Sequence, residues 1–206
     1  MSLAAIILCG GASTRMGRPK ALLPAPGGAE TFLDRLIGIL AAHCAPVIVV
    51  LGHDAGPIRA GLARQSEAMF VVNPNYRRGQ FSSLQCGLAA VPVEAAGALF
   101  TPVDLPLVLP ETIARLAEAS KNTPDCLPPA PVLLIPRYQG RHGHPVCCFR
   151  ELIPEFLNLP DGAQARDVIH RHTARTCYVD VDDPGILRDV DDPLAYHSLP
   201  GCAESR

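Results

Sequence analysis

The sequence has no tryptophan, only two lysines and almost no net charge. Its 206 residues carry 18 basic and 20 acidic side chains, which gives a formal charge of −2 at pH 7. Nucleic-acid-binding domains draw most of their affinity from an excess of lysine and arginine. Because this chain has no such excess, we expect no nucleic-acid partner.

Long hydrophobic runs are also lacking. The longest stretch without a formal charge extends from Leu36 to His53, and Pro46 interrupts it. A bilayer-spanning helix needs about 20 consecutive apolar residues. No basic segment precedes the first apolar run, as it would in a secretory signal. We therefore expect a cytoplasmic protein with no membrane partner.

Cysteine pairs at zinc-binding spacing are absent, although the chain has eight cysteines. No C-x-x-C pair occurs, and several cysteines stand in apolar, strand-like runs, where a thiol behaves as a small hydrophobic group. We expect reduced, structural residues. They are Cys9, Cys44, Cys86, Cys126, Cys147, Cys148, Cys177 and Cys202.

What is present is an alternation of short apolar runs and helical-period segments. Strands are predicted at 4–9, 47–51, 68–72 and 98–102, and helices from Thr31, over 57–65, from a Ser82–Gln85 capping box and from Pro110. Strands that are apolar on both faces indicate a parallel sheet covered by helices on both sides.

The alternation of apolar runs and helical-period segments changes after about residue 125. Residues 132–135 and 145–149 are predicted to form a hairpin, followed by two helices and a strand at 176–181. We predict one α/β domain over residues 1–206, with a Rossmann-like, mostly parallel sheet and a small hairpin and helical C-terminal part.

A glycine-rich segment follows the first strand. It is neither a Walker A loop nor a G-x-G-x-x-G fingerprint. A glycine turn at this place in an α/β sheet nevertheless offers consecutive backbone N–H groups to phosphates. Gly10 and Gly11 would let a nucleotide approach the backbone, and Arg15 and Lys20 would neutralise a triphosphate. A solvated loop with incidental basic residues is the plainer alternative.

Residues Leu8 to Leu22 resemble the signature L-x-[AG]-G-x-x-x-R-M-G-x-x-K-x-L of MobA-like nucleotidyltransferases. That family includes molybdenum-cofactor cytidylyl- and guanylyltransferases and, more distantly, methylerythritol-phosphate cytidylyltransferases. The resemblance implies a nucleotide-diphospho-sugar-transferase-like fold, with a nucleotide-binding part over 1–125 and an acceptor-binding part over 126–206. The nucleotide-binding residues that it implies are Leu8, Cys9, Gly10, Gly11, Lys20, Asn73, Gly79, Ser82, Ser83 and Asp104. Arg15, Lys20 and Asp104 would be catalytic.

The segment from Asn73 to Leu88 is similar to the cytidylyltransferase branch, where an Asn and a Gly-x-x-Ser-Ser-Leu helix start contact base and ribose. Ser82 and Ser83 lie at a predicted helix N-terminus, so their hydroxyls are candidate donors to a ligand. They are equally candidates for plain capping residues.

Two acidic segments are candidates for a metal site. Asp104 comes just after an apolar strand, and a lone Asp among apolar residues suits a turn or a bound Mg²⁺. Asp189 and Asp191 alternate on one side of a chain that resembles the family's D-[IV]-D-T-P element, and either is a candidate second ligand. A solvent-exposed turn with capping acids is the rival reading, and Asp180, Asp182 and Asp183 are expected to be solvated.

The acceptor side carries weaker signals. The Gly-His-Pro segment at His144 resembles the cytidylyl branch, and Arg166 falls in a stretch similar to the family's G-D-x-G-x-R with one residue inserted. His144 is a candidate acceptor contact or a structural residue, and His170 and His172 are expected to be ordinary helix-end residues.

The function predicted from these residues is Mg²⁺-dependent transfer of a nucleoside monophosphate from CTP or GTP to a phosphorylated acceptor. Leu8-Cys9-Gly10-Gly11 leans towards guanine and the downstream segments towards cytosine; the latter cover more residues and favour CTP. By resemblance the acceptor is the molybdenum cofactor, with a molybdoenzyme or its chaperone as a further partner. Another small phosphorylated acceptor, and a non-catalytic carrier or nucleotide sensor, are the alternatives.

Overall fold

The computed structural model describes residues 2–122 and 130–200. In these ranges eight strands form one sheet: β1 (Leu3–Cys9), β2 (Val47–Leu51), β3 (Met69–Val72), β4 (Gly97–Pro102), β5 (Leu133–Tyr138), β6 (Arg141–His142), β7 (Val146–Phe149) and β8 (Thr176–Asp180). The helices are α1 (Phe32–Ala41), α2 (Ala55–Ala60), α3 (Gln80–Ala89), α4 (Pro110–Lys121), α5 (Ile153–Leu157), α6 (Ala165–Arg171) and α7 (Pro193–His197). The change of rhythm predicted near residue 125 lies outside the described residues.

The sheet is mixed but mostly parallel, which confirms the predicted fold class. Its strand order is β3-β2-β1-β4-β7-β5-β6, with β8 paired to β5. Strands β3, β2, β1 and β4 run parallel, as do β5 and β8, while β7 is antiparallel to both of its neighbours. The predicted hairpin is present as the antiparallel pair β5 and β7, with the short strand β6 in the turn between them, and β7 also pairs with β4.

Both faces of the central strands β1, β2 and β4 are buried, as their continuous apolar sequences predict, whereas the edge strand β3 is partly exposed. Alternate residues of β1 point to opposite sides: Ala5 and Ile7 pack in the layer of α1 and α4, and Ala4 and Ile6 pack in the layer of α3 and α5. A third apolar cluster includes Phe32, Val190 and Tyr196. This cluster fixes the segment around α7 beside the loop that follows β1.

Two of the predicted helix starts are confirmed and one is wrong. Thr31 Oγ1 accepts a hydrogen bond from the Asp34 N–H at 3.0 Å and caps α1, and Pro110 occupies the first position of α4. The Ser82–Gln85 capping box does not form, because Gly79 is the N-cap of α3 and the helix begins at Gln80.

Gln85 has a different role from the predicted one. Its Nε2 lies within hydrogen-bond distance of the carbonyls of Phe156 and Leu159, at 3.1 and 3.2 Å, so it joins α3 to the end of α5.

The helix predicted over 57–65 is α2, which is shorter than predicted and begins earlier, at Ala55. It ends before Gly61, where a Cβ would lie 2.9 Å from Leu22.

The six described cysteines are free thiols; Cys126 and Cys202 lie outside the described residues. Burial raises the pKa of Cys44 and Cys148 to about 12, so both thiols stay protonated at neutral pH.

None of the helices in 2–122 and 130–200 combines the length and apolar character that crossing a bilayer requires.

Candidate active site

A cleft of about 310 Å³ opens at the carboxyl ends of β1 and β4. Open α/β sheets bind ligands at this edge, where the strand order reverses. We call this cleft, at the ends of β1 and β4, the small cleft. Of the site residues predicted from the sequence, those that line it are Leu8, Cys9, Gly10, Gly11, Arg15, Lys20, Gly79, Ser83, Asp104 and Asp191.

Ser13 closes the glycine loop on itself. Its φ of +50° turns the chain, its carbonyl accepts the N–H groups of Met16 and Gly17 at 3.0 and 3.1 Å, and its Oγ accepts the Lys20 N–H at 3.2 Å. No described residue accepts a hydrogen bond from the backbone N–H groups of 11–15. The loop therefore presents a run of donors beside the small cleft, an arrangement that suits phosphate oxygens.

The absence of a side chain has a different consequence at each of the two adjacent glycines of this loop. A Cβ at Gly10 would lie 2.7 Å from Ser83 Oγ, so this glycine allows the first turn of α3 to approach the loop. A Cβ at Gly11 would meet nothing within 4 Å. Gly11 lines the cleft, and its missing side chain leaves that space open to a ligand.

Lys20 lies between two carboxylates at the centre of the cleft. Its Nζ is 3.1 Å from Asp104 Oδ2 and 2.6 Å from Asp191 Oδ1. Arg15 donates to the other oxygen of Asp191 at 2.8 Å. The hydrogen bond from Lys20, followed by that from Arg15, holds the pKa of Asp191 below its ordinary value, so the carboxylate is ionised at neutral pH. The cleft thus holds two cations and two anions in contact.

A backbone hydrogen bond selects Asp191 over Asp189. The N–H of Val190, which is 1% exposed, donates to the Asp104 carbonyl at 2.8 Å. This pairing places Asp191 in the cleft, whereas Asp189 is exposed and lines no described cleft. Asp192 caps α7 by accepting the Ala195 N–H at 2.9 Å, so the capping alternative holds for that residue.

The expectation that Asp183 is solvated is wrong. Asp183 is 2% exposed, and its carboxylate accepts hydrogen bonds from the Leu109 N–H, the Thr112 hydroxyl and the Gly185 N–H at 2.9, 2.7 and 2.8 Å. These bonds fasten the segment that leads to Asp191 onto the start of α4, just beyond the loop of Asp104. Asp180 is exposed and pairs with Arg137 at 2.7 Å.

Asn73 is part of the scaffold of the site and does not line the cleft. It is 3% exposed; its Nδ2 donates to the hydroxyls of Ser82 and Ser83 at 2.9 and 3.1 Å, and its Oδ1 accepts the Asn75 N–H at 2.9 Å. Ser82 Oγ is 2.8 Å from the Gly79 carbonyl. Of these residues, Ser83 and Gly79 line the cleft, so the contact of Asn73 with the cleft is indirect, through the Ser83 hydroxyl that it orients.

A second, larger cleft of about 800 Å³ adjoins the first, sharing Leu8, Gly79 and Gln80 with it. His144 and Arg166, the two predicted acceptor contacts, both line this large cleft. Its other basic or imidazole side chains are Arg78, His142 and His170, and no described aspartate or glutamate lines it. The composition favours an anionic ligand.

An aromatic wall in the large cleft was not predicted from the sequence. His142 stacks on Tyr178 with ring centroids 4.2 Å apart and an angle of 12° between the planes, and Arg137 lies 5.7 Å from the same tyrosine ring. Both stacked residues line the cleft. They belong to β6 and β8, which are far apart in the chain, so no local pattern relates them.

Tyr76 was also missed. It lines the small cleft, and a Cβ at Gly52 would lie 2.6 Å from the Tyr76 Cβ. The tyrosine ring therefore reaches the loop only because position 52 is a glycine. The signal available in the sequence, a single glycine after β2, does not identify its partner.

We expect His144 to make the stability of the protein depend on pH. Burial lowers the pKa of His144 from its ordinary 6.5, an effect that the Phe100 carbonyl and Asp104 oppose. Just below pH 6.5 the unfolded chain therefore binds this proton more readily than the native protein, and the free energy of unfolding falls as the pH falls. In denaturant unfolding between about pH 5 and 7.5, His144→Gln should have a smaller slope than the wild type.

The exposed His43 supplies the control for that experiment. The variant His43→Gln should keep the wild-type slope. Equal slopes for the wild type and His144→Gln would show that burial of His144 does not affect protonation.

Comparison with known proteins places this site in a family. Residues 5–176 match the family described as MobA-like NTP transferase domain, which confirms the resemblance seen in the glycine loop. A probable molybdenum cofactor guanylyltransferase of Mycobacterium avium (strain 104) is 35% identical over 125 residues, which are 60% of each chain. The equivalent protein of Mycobacterium tuberculosis H37Rv is 33% identical over 123 residues, 59% of this chain and 58% of that one. The matched segment thus spans about 60% of the length of these curated relatives.

Solved structures show the same fold over nearly the whole chain. Rv0371c of Mycobacterium tuberculosis H37Rv has a TM-score of 0.76 at 27% identity and covers 97% of this chain and 98% of its own. A structure of Rv0371c in complex with manganese has a TM-score of 0.74, also at 27% identity, and covers 96% and 97%. The molybdopterin-guanine dinucleotide biosynthesis protein A of Archaeoglobus fulgidus, at 14% identity, has a TM-score of 0.64 with 94% of each chain covered, and shows the fold alone.

Proposed function

Since the chain belongs to the MobA-like NTP transferase family, we propose that it transfers a nucleoside monophosphate from a nucleoside triphosphate to a phosphate-bearing acceptor and releases pyrophosphate. The observation that carries this proposal is the position of Lys20. Its ammonium group lies between Asp104 and Asp191 in the small cleft, beside the donors of the glycine loop and next to the large cleft.

The acceptor phosphate attacks the α-phosphorus in line, and pyrophosphate leaves on the opposite side. Such a reaction needs positioned groups and charge stabilisation more than covalent help from the protein. The N–H groups of 11–15 bind the phosphate oxygens, Lys20 stabilises charge at the α-phosphate, and Arg15 holds the leaving pyrophosphate. Both cations already lie in the cleft. The thiol of Cys9 stays protonated, because burial and then Asp104 raise its pKa to about 12.

Asp104 and Asp191 would hold the Mg²⁺ ion that such a reaction uses. No group of three or more His, Cys, Asp or Glu suited to a metal occurs in 2–122 and 130–200. Mg²⁺ is commonly held by one or two carboxylates together with substrate phosphates and water, and the two carboxylates that converge on Lys20 fit that requirement. The bound ion would neutralise charge that develops on the phosphates.

The large cleft is the proposed acceptor site. Arg166 and His144 would contact the acceptor phosphate, with the stacked His142 and Tyr178 as an aromatic wall. The names of the curated relatives favour the molybdenum cofactor as the acceptor. We propose the corresponding division of the chain into a nucleotide-binding part, 1–125, and an acceptor-binding part, 126–206. Asp191 is the residue of the second part that reaches the small cleft.

The choice between GTP and CTP centres on Gly10. By resemblance, the cytidylyl branch has alanine at this position and the guanylyl branch has glycine, as this chain does; here a Cβ would lie 2.7 Å from Ser83 Oγ. The glycine at position 10 and the guanylyltransferase names of the relatives support GTP. The Asn73–Leu88 segment keeps CTP as the second candidate.

Pyrophosphate release tests both the reaction and the base. The wild type is incubated with Mg²⁺, molybdenum cofactor and each of GTP, CTP, ATP and UTP, and we expect release with GTP. Gly10→Ala should lower the preference for GTP over CTP, because the new methyl group displaces Ser83. Release with CTP alone would reverse the base assignment. If no nucleotide gives release but one still raises the melting temperature, the molybdenum cofactor is the wrong acceptor and another phosphorylated acceptor is required. If no nucleotide gives release and none raises the melting temperature, the proposed transfer is wrong.

A further inference from the structure

Asp191 occupies the place of an anionic ligand. One carboxylate oxygen contacts Lys20 Nζ at 2.6 Å and the other contacts a guanidinium nitrogen of Arg15 at 2.8 Å. These are the two cations that the proposed function assigns to the triphosphate. A carboxylate bridging them makes the same charge-assisted hydrogen bonds that phosphate oxygens make.

The charge balance of the cluster shows why the contacts of Asp191 with Arg15 and Lys20 weaken the binding of a nucleotide. Arg15 and Lys20 are balanced by Asp104 and Asp191, so the cluster has no net formal charge. A triphosphate that approaches this cluster meets two cations whose hydrogen bonds are in use and two carboxylates that repel it. If the Asp191 side chain leaves, Arg15 is released, and Lys20 keeps only Asp104.

The structure allows such a movement in the side chain alone. The flanking backbone is fixed, because the Val190 N–H donates to the Asp104 carbonyl and Asp192 caps α7. The Asp191 side chain itself is 33% exposed, and that of Arg15 is 68% exposed. Rotation about the side-chain bonds of Asp191 therefore breaks both ion pairs without moving the chain.

We propose that Asp191 is an internal competitor of the triphosphate, and that a divalent cation relieves the competition by binding the Asp191 carboxylate, which releases Arg15 and removes one of the two carboxylate partners of Lys20. This inference rests on the proposed function, because it assumes that the small cleft binds nucleotide phosphates. Asp191 then couples the two ligands. A cation raises nucleotide affinity and, by reciprocity, nucleotide raises cation affinity.

The test is calorimetric binding of GTP, CTP and inorganic tripolyphosphate, with EDTA or with Mg²⁺. Tripolyphosphate has no base, so it reports on the phosphate site whichever nucleotide is the substrate. For the wild type we expect binding to be at least about tenfold tighter with Mg²⁺, within the usual 5–150-fold range of coupling. Asp191→Asn should bind tripolyphosphate and nucleotide about tenfold tighter than the wild type in EDTA, and Mg²⁺ should then add little.

Asp189→Asn is the matched control. Asp189 lies two residues before Asp191, is exposed and lines neither cleft, so this variant removes the same charge outside the site. It should behave as the wild type does, and a gain in this variant instead of Asp191→Asn would overturn the assignment. If the wild type binds GTP or CTP with Mg²⁺ but Asp191→Asn gains nothing in EDTA, the inference alone fails. If no nucleotide and no tripolyphosphate binds under any condition, the proposed function fails and the inference fails with it.

Discussion

Replacing Lys20 by glutamine is expected to lower the rate of pyrophosphate release by at least about 100-fold, the usual effect of removing one preorganised group that stabilises transition-state charge. Lys20 Nζ lies within 3.1 Å of both Asp104 and Asp191, so its charge is placed where the phosphates and carboxylates meet. Glutamine keeps much of the volume of the side chain but supplies no charge. The single-turnover rate with saturating nucleotide and acceptor measures the effect.

The chain provides a matched control for this substitution, because Lys121 is its one other lysine. Lys121 is exposed in the last turn of α4, away from both clefts, and Lys121→Gln should leave the rate unchanged. Circular dichroism and the melting temperature establish that Lys20→Gln is folded. A rate for Lys20→Gln within about threefold of the wild type, far from the loss that such groups normally show, would mean that Lys20 has no catalytic role.

Asp183→Ala is expected to lower the free energy of unfolding by about 1–3 kcal/mol, the cost of leaving a buried hydrogen-bond donor without its acceptor. The carboxylate accepts three hydrogen bonds in the interior, and alanine leaves the N–H groups of Leu109 and Gly185 without their acceptor. Urea unfolding measures the loss. Thr112→Val should cost less, because it removes one donor and leaves both N–H contacts in place.

The exposed neighbour Asp182 serves as the reference for Asp183. Surface substitutions of this kind usually change stability by less than about 0.5 kcal/mol, so Asp182→Ala should unfold close to the wild-type midpoint. Equal losses for the two variants would show that the buried contacts of Asp183 do not hold the segment in place.

The parts of the site that could be predicted are those formed by residues that are consecutive in the sequence. The glycine loop from Gly10 to Lys20 follows a strand directly, and the sheet order brings the end of that strand beside Asp104. A strand and the turn after it are local features, and parallel strands align their carboxyl ends at one edge. Fold class and the loop both follow from such local patterns.

The parts that could not be predicted depend on contacts between distant segments. Asp189 and Asp191 are equivalent in a pattern of alternation, and the bond from Val190 N–H to the Asp104 carbonyl separates them. Asp183 is identified as a buried anchor by Leu109 and Thr112, whose positions relative to it are set by tertiary structure. The pairing of β7 with β4 likewise has no local signature, since an apolar strand does not show in its own sequence which distant strand it will pair with.

The order in which a ribosome makes the chain adds a consequence of the late position of Asp191. Every other residue that lines the small cleft lies between positions 8 and 104 and leaves the ribosome well before the segment 183–191. When residues 8–104 have been synthesised, no carboxylate is yet present to bridge Arg15 and Lys20. Before the segment 183–191 is made, Lys20 has Asp104 as its one carboxylate partner in the cleft and Arg15 has none, so the later segment both balances the charge of the loop and completes the cleft.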